Sequence, residues 1–396
     1  MKVLLLCWRD TGHPEGGGSE RYLERVAEHL ARDGHRVVFR TAAYPGAPRR
    51  STRAGVRFSR AGGNYGVYVR AAVAMTAARF GLGPLARELG GRPDVVVDTQ
   101  NGIPFMARVF SGAPTVLLTH HCHREQWPVA GPVTGRVGWL IESVVSPVVH
   151  RGCRYVTVSL PSRDDLVELG VRADDITVIR NGVDPLPADP AAAAAEAAAA
   201  EADDAAGMHA ITGSDAGPRL VTLSRLVPHK RIEHAIDAVA ALVPEHPGVV
   251  LDVIGSGWWR DELLDYAGRR GVARHVIFHG QVSEEEKHAL LARADLHLMP
   301  SRKEGWGLAV IEAAQHGVPT IGYSSSAGLR DSVVDGQTGL LVGDGPGELV
   351  AAVRRLVEDP RLRARMGGAA RARAATFSWE ATATAMGRVI ADVARR

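Results

Sequence analysis

Two cations and two carboxylates in the second half of this chain have the types and spacing to hold a phosphorylated, hydroxyl-rich ligand. The run LVTLSRL carries Arg225 near its end, and Lys230 follows five residues later, where KRIEHAIDAVAALV reads as a helix start. Cations at the carboxyl end of a strand face the crevice where open α/β sheets bind ligands, and they can neutralise charge growing on a departing diphosphate. Further on, SRKEGWGLAVIEAAQHG holds Glu304 and Glu312 with seven residues between them. A helix beginning near Gly307 would aim its first N–H groups at an anion, and Gly305 and Gly307 would let the main chain come close. Glu304 then sits in the loop at the mouth, and Glu312, a turn inside the helix, can accept hydrogen bonds from vicinal hydroxyls such as those of ribose. The segment VLDVIGSGWWRDEL reads as strand, turn at Gly255 to Gly257, and helix. It could cradle a base or a phosphate, but it lacks the full G-x-G-x-x-G spacing because Arg260 takes the third position. Each feature also has a plainer reading, as solvated surface charges or as ordinary glycine turns at helix starts.

The first half offers a second set. After the opening strand, DTGHPEGGGSERYLERVAEHL carries Gly16, Gly17 and Gly18 with Ser19 as an expected helix cap, a loop suited to a phosphate or sugar at a helix N-terminus and equally suited to plain mobility. PTVLLTHHCHREQW places His120 and His121 at the end of another strand, where a histidine could bond a sugar or an incoming hydroxyl. A metal held by His120, His121, Cys122 and His123 is disfavoured, because consecutive residues of an extended chain alternate sides and no second ligand group with regular spacing appears. A structural histidine is the competing reading.

Strand-like runs alternating with helical ones must position these groups. In the first half the strands read as 3–7, 36–40, 95–98, 115–119, 155–159 and 177–179; in the second as 220–224, 249–254, 276–279, 296–299 and 320–323. Such alternation builds parallel sheets flanked by helices. Two sheets in 396 residues predict an α/β protein of two domains, at 1–187 and 217–377, joined by an Ala-rich linker at 188–216 that has helix propensity but no apolar face. A last amphipathic helix is expected at 378–396, with Ala385, Val389, Ile390 and Val393 on one side.

Composition narrows the class. Hydrophobic residues at 45% and charged residues at 23% describe an ordinary globular chain. The net charge of +3 is uneven: 24 Lys and Arg stand against 17 Asp and Glu up to Asp184, and 23 against 27 after it. Three cysteines at irregular spacing give no disulfide framework and suggest a reducing compartment. The apolar run of MKVLLLCW is too short for a signal peptide, no spanning helix is present, and a cytoplasmic location is expected.

Taken in order, GGGSE, the strand-end His120, NGVD at Asn181 to Asp184, SRLVPHK, GSG, EGWGLAVIEA and DGQTGLLV resemble the retaining glycosyltransferases of the GT-B fold, specifically glycosyltransferase family four. The likeness spans nearly the whole chain. It implies two Rossmann-like domains facing across a cleft, with Arg225 and Lys230 clamping the diphosphate of a nucleotide sugar, Glu304 touching the transferred sugar and Glu312 holding the ribose. It further implies amide contacts from Gly305, Trp306, Gly307 and Leu308, base contacts around Gly280 to Val282, closure of Gly17 and Gly18 over the phosphates, and His120 near the sugar's reacting face. The last helix would cross back onto the first domain. The sequence departs from the family pattern at Arg231, where the family usually has Gly after the clamp Lys, and at Arg330 and Asp331, where Pro and Glu are frequent.

The resemblance implies transfer of a sugar to an acceptor hydroxyl on the face that the diphosphate leaves, with no cofactor. The chain contains no Asp-x-Asp, so no metal is expected. A complete dinucleotide fingerprint, as a dehydrogenase would need, is missing. An epimerase or hydrolase of related architecture and an inactive donor-binding module remain the rivals. The acceptor could be a glycan, a lipid-linked intermediate or a small metabolite. Arg49, Arg50, Arg53, Arg57 and Arg60, followed by the apolar stretch GVYVRAAVAMTAARFGLG, could lean on the inner face of an anionic membrane, or could be a solvated face beside a core helix. Nucleic acid is not expected, because no aromatic platforms stand among the arginines.

Overall fold

The computed structural model describes residues 1–14, 16–124, 127, 131–186 and 217–396, and the expected linker at 188–216 lies outside them. The chain divides into two compact units: Met1–Gly182 with Phe377–Arg396, and Val183–Thr376.

Unit 1 is built on an eight-stranded sheet in the order β3-β4-β2-β1-β5-β6-β7-β8. The strands are β1 Lys2–Leu6, β2 Arg36–Thr41, β3 Arg50–Arg53, β4 Val56–Arg60, β5 Val95–Gln100, β6 Thr115–Thr119, β7 Arg154–Thr157 and β8 Ile176–Val178. All neighbours are parallel except β3, which runs antiparallel to β4. Every residue of β5, VVVDTQ, is buried, as expected for a strand covered by helices on both faces. The pair β3–β4 went unseen in the sequence because RSTR and VRFSR interleave arginine with few apolar residues. The closing helix Trp379–Ala394 belongs to this unit. It buries Trp379, Ala383, Met386 and Ile390, meets the edge of Tyr22 through Trp379 at 6.2 Å, and bonds the Arg180 carbonyl through the Thr382 hydroxyl at 2.9 Å.

Unit 2 has a six-stranded, wholly parallel sheet in the order β11-β10-β9-β12-β13-β14. Its strands are β9 Arg219–Leu223, β10 Val250–Ile254, β11 Val276–Gly280, β12 Leu296–Met299, β13 Thr320–Tyr323 and β14 Gly339–Val342. β14, the four-residue GLLV of the motif DGQTGLLV, is the strand that the sequence reading left out. The helix Ile232–Leu242 shows how the core is made: Ile232, Ala235, Ile236, Val239 and Leu242 recur at three- and four-residue spacing and are all buried against the sheet. The strand order reverses around β9, so the loops after β9 and β12 leave from neighbouring strands on the carboxyl edge, where open α/β sheets hold ligands.

Candidate functional site

Main-chain bonds lace together the loops at the carboxyl ends of β9, β10 and β11. Ser224 N–H donates to the Ile254 carbonyl at 3.0 Å, Leu226 N–H to Ser256 at 3.0 Å, and Gly255 N–H to Gly280 at 2.8 Å. Gly255 has φ +128°, and a Cβ there would stand 2.0 Å from the Ser224 carbonyl oxygen, so no side chain fits. The turn GSG therefore braces the loop that carries Arg225. Arg225 itself is exposed, and its side chain makes no hydrogen bond among the described residues. Val282, two residues past Gly280, is partly buried against Val221, Ile254 and Leu290, which fixes the loop after β11.

Lys230 closes a short turn, Pro228–Lys230, and its Nζ lies 2.5 Å from Glu304 Oε1, both side chains being about nine-tenths buried. Burial alone would push the Glu304 carboxyl up, but the Lys230 ammonium and a bond from Ser301 hold it below the usual carboxylate range. Glu304 is thus an anion at neutral pH. The Arg302 N–H donates to the His229 carbonyl at 2.9 Å and ties the two loops together. Trp306 is buried to 2% exposure and anchors the loop from below. Gly307, at φ +85°, caps the helix Leu308–Gln315, and no side chain caps it, which leaves the first N–H groups for an anion. A Cβ on Gly328 would stand 2.3 Å from the Glu304 carbonyl oxygen, so the helix Ala327–Ser332 backs this loop directly.

Glu312 lies on the same helix but has a partner that sequence reasoning missed. Lys287, on the helix Glu284–Ala292, donates to Glu312 Oε1 at 2.6 Å and to Glu284 Oε2 at 2.8 Å. Burial lowers the Lys287 pKa, and the two carboxylates more than offset this and raise it. No local signal joins residues 287 and 312; only the adjacency of their helices does. Glu312 Oε2 takes no bond from any described residue and stays open to a hydroxyl.

In unit 1, the helix Gly18–Arg32 starts one residue before Ser19, with Gly17 as its cap. Ser19 is therefore not the cap; its hydroxyl donates to Glu20 Oε2 at 2.8 Å, and Gly17 N–H donates to the same oxygen at 2.9 Å. His120, at the end of β6, is 5% exposed, sits 5.3 Å from the edge of Tyr22, and has no partner for Nε2 among the described residues. Burial, with a smaller push from His123, lowers its pKa to about 4, so the ring is neutral and offers an unspent polar atom. The His121 and His123 rings lie 4.3 Å apart at a tilt of 33°, and the buried Glu142 holds His123 and Trp127 from a π-helical turn, Ile141–Val145. Among the described residues no three His, Cys, Asp or Glu side chains converge as a metal-binding set.

The arginines offered as a membrane face are mostly engaged. Arg60 pairs with Asp10 at 2.6 Å, Arg50 with Glu88 at 2.7 Å, Arg53 with Glu24, and Arg57 donates to the Glu88 carbonyl. The apolar stretch beside them is a helix, Gly66–Arg79, which buries Val67, Ala71, Met75 and Ala78 and leaves Val69 and Val73 outside. No helix among the described residues is long and apolar enough to cross a membrane.

Two α/β units on largely parallel sheets match solved structures of the GT-B fold. Residues 16–185 match the family described as Glycosyltransferase Family 4, and residues 208–373 match Glycosyl transferases group 1. The chain belongs to this family. It is 32% identical to a glycogen synthase of Mycobacterium tuberculosis over 98% of this chain and 94% of that one. It is 31% identical to a GDP-mannose-dependent alpha-(1-6)-phosphatidylinositol monomannoside mannosyltransferase of Mycolicibacterium smegmatis, over 66% of this chain and 65% of that one. Among solved structures, the fold matches Anabaena HepE in complex with UDP and glucose with a TM-score of 0.73 at 19% identity, covering 99% of this chain and 100% of that one. It also matches WaaG, a glycosyltransferase involved in lipopolysaccharide biosynthesis, at 0.74 and 17%, covering 98% and 99%.

Proposed function

We propose that this chain transfers a hexosyl group from a nucleoside diphosphate sugar to an acceptor hydroxyl with retention of configuration and without a metal. The observation that carries the reading is the Lys230–Glu304 pair beside the uncapped start of the helix Leu308–Gln315. The base lies at Gly280 to Val282, the ribose on Glu312 Oε2, the diphosphate on Arg225, Lys230 and the N–H groups after Gly307, and the sugar on Glu304. The C1–O bond to the β-phosphate breaks as the acceptor oxygen bonds C1 from the same face. The acceptor's proton passes to the departing phosphate oxygen, so no pair of glycosidase-like carboxylates is needed. Lys230, Arg225 and the helix N-terminus stabilise the charge that grows on that oxygen. His120, neutral at working pH, is suited to bond a sugar hydroxyl without adding charge.

The relatives named above support a nucleotide-sugar donor; the acceptor classes left open are a glycan, a lipid-linked intermediate and a small metabolite. A reducing, cytoplasmic setting fits three buried cysteines that form no disulfide. The test is a screen of UDP-, GDP-, ADP- and dTDP-sugars with the purified protein, in chelator, reading where the sugar ends up. Sugar on an acceptor with the donor's anomeric configuration supports the proposal. Sugar released only to water, an epimerised donor, an inverted product or a strict metal requirement would each overturn the corresponding part.

A further inference from the structure

Among the described residues, only Ala54, Met106 and Arg231 combine a side chain with a left-handed backbone, and Arg231 alone of them stands on the donor edge. Its φ of 50° and ψ of 42° suit glycine and disfavour any residue with a Cβ, so the chain keeps a long cation there against local backbone preference. Such strain at a site edge points to a use for the side chain. Arg231 Nη1 makes one long contact, 3.2 Å, with Asp344 Oδ2, and the guanidinium lies 5.7 Å from the Tyr323 ring centre. A planar fork with five N–H groups is spent on a single oxygen, and a quarter of the side chain remains exposed. Asp344 is held in turn by the Ser325 hydroxyl at 2.5 Å.

The position along the sheet says what lies there. With the base at β11, the diphosphate at β9 and the sugar at Glu304 after β12, the next loops on the edge are those after β13 and β14, where Ser325 and Asp344 sit. Arg231 reaches into that place from the turn that carries Lys230. Lys230 and Arg225 already match a diphosphate, so a third cation beyond the sugar has a different anion to meet.

We propose that Arg231 and Asp344 form a subsite for an anionic substituent next to the transferred sugar, a carboxylate or phosphate carried either by that sugar or by the acceptor. In the free protein the Asp344 carboxylate stands in for that anion, and the ligand displaces it from the guanidinium. This rests on the donor arrangement proposed above. The structural alternative is that the pair only fastens two turns together.

The two readings differ in sign. Arg231→Gly removes the cation and relaxes the backbone, whereas Asp344→Asn removes the competing anion. Wild type, both variants and Arg231→Lys would be assayed with two matched pairs: UDP-glucose against UDP-glucuronate, or the same sugars on whichever base supports turnover, and glucose against glucose 1-phosphate as acceptor. We expect Arg231→Gly to lower the anionic-to-neutral ratio of kcat/KM about tenfold or more in one pair, with partial recovery in Arg231→Lys, and Asp344→Asn to raise the same ratio. The pair that responds tells whether the charge rides on the sugar or on the acceptor. Ratios that stay within twofold in both pairs, or that fall in both variants, would overturn the subsite. Calorimetry with UDP, GDP, ADP and dTDP on the wild type separates the failures: binding of none of them defeats the donor arrangement itself, while binding of one with unmoved ratios defeats only this inference. Should Arg231→Gly not fold, the sign of the Asp344→Asn effect decides alone.

Discussion

On the β3–β4 edge of unit 1, Arg50, Arg53, Arg57 and Arg60 each end on a carboxylate or a carbonyl, and Arg60 is buried against Asp10. On the carboxyl edge of unit 2, Arg225 is exposed with no side-chain bond among the described residues, Arg231 spends one N–H on Asp344, and Lys230 shares Glu304. The charge type is the same and the surroundings are opposite. What separates a structural cation from a ligand-binding one is the supply of acceptors around it, and that supply comes from elements far apart in sequence. A run of arginines therefore says little until its counter-ions are known, and the denser of the two clusters here is the structural one.

The comparison breaks most sharply at Arg60. Arg60→Ala would leave Asp10, 1% exposed, as a buried carboxylate with, among the described residues, only the Gly12 N–H and the Tyr44 hydroxyl. Stranding one member of a buried pair costs about 3–5 kcal/mol, which urea unfolding would read as a clear fall in the midpoint. A loss under about 1 kcal/mol would mean that the hairpin arginines are not structural and would reopen the membrane face. Lys230→Ala makes the opposite statement. It strands the largely buried Glu304 carboxylate, so some stability falls here too, but the distinguishing effect is on turnover: kcat/KM of the folded protein should drop by a factor on the order of 100, as for a lost charge-stabilising group. The same variant removes the cation that holds Glu304 low, so the carboxyl's pKa should rise and any acid limb of the pH–rate profile it controls should move to higher pH. An unmoved limb with near-normal turnover would remove the pair from the mechanism.

The sequence made the unit 2 edge readable because its groups sit in contiguous motifs: SRLVPHK puts Arg225 and Lys230 in one turn, and EGWG sets Glu304 against a helix start at Leu308. These are local facts, fixed by glycine geometry and helix periodicity. Lys287 was not legible, since its meeting with Glu312 depends on two helices packing side by side. The strands β3 and β4 were missed for the same reason in reverse: their arginines look like a solvated surface until Asp10, Glu24 and Glu88 arrive from elsewhere in the fold. Ser19 was misread as a cap because a serine after three glycines has the right local signature, yet the helix begins two residues sooner, at Gly18, and Gly17 takes that place.

Lys287 sharpens the contrast at intermediate size. It is a cation with two carboxylates, like those of unit 1, but one of them keeps an open oxygen. Lys287→Met should raise the KM for the nucleotide sugar about tenfold with kcat little changed, because the ribose is bound alike in ground and transition states. Its stabilising contribution, tied to a raised pKa, is present below the unfolded value and lost only as pH climbs through the folded one, so it should persist through the neutral range. A fall in kcat with unchanged KM would place Glu312 near the reacting bond instead of the ribose.

The smallest effect lies at Arg50, the mirror image of Arg60 within one hairpin. Its pair with Glu88 is short, 2.7 Å, but the arginine side chain is 64% exposed. Water and salt screen such a pair, and ordering a long side chain offsets most of the attraction, so Arg50→Gln should cost no more than about 1 kcal/mol, and less at high salt. Measured beside Arg60→Gln, it contrasts a buried pair with an exposed one: both arginines meet a carboxylate at nearly the same distance, and a gap of several-fold in stability would reflect burial together with the two further bonds that Arg60 gives the Pro48 carbonyl and the Ser51 hydroxyl. Equal losses from the two substitutions would show that the contacts, and not their burial, set the cost, and the distinction drawn here between structural and ligand-binding cations would then need a different basis.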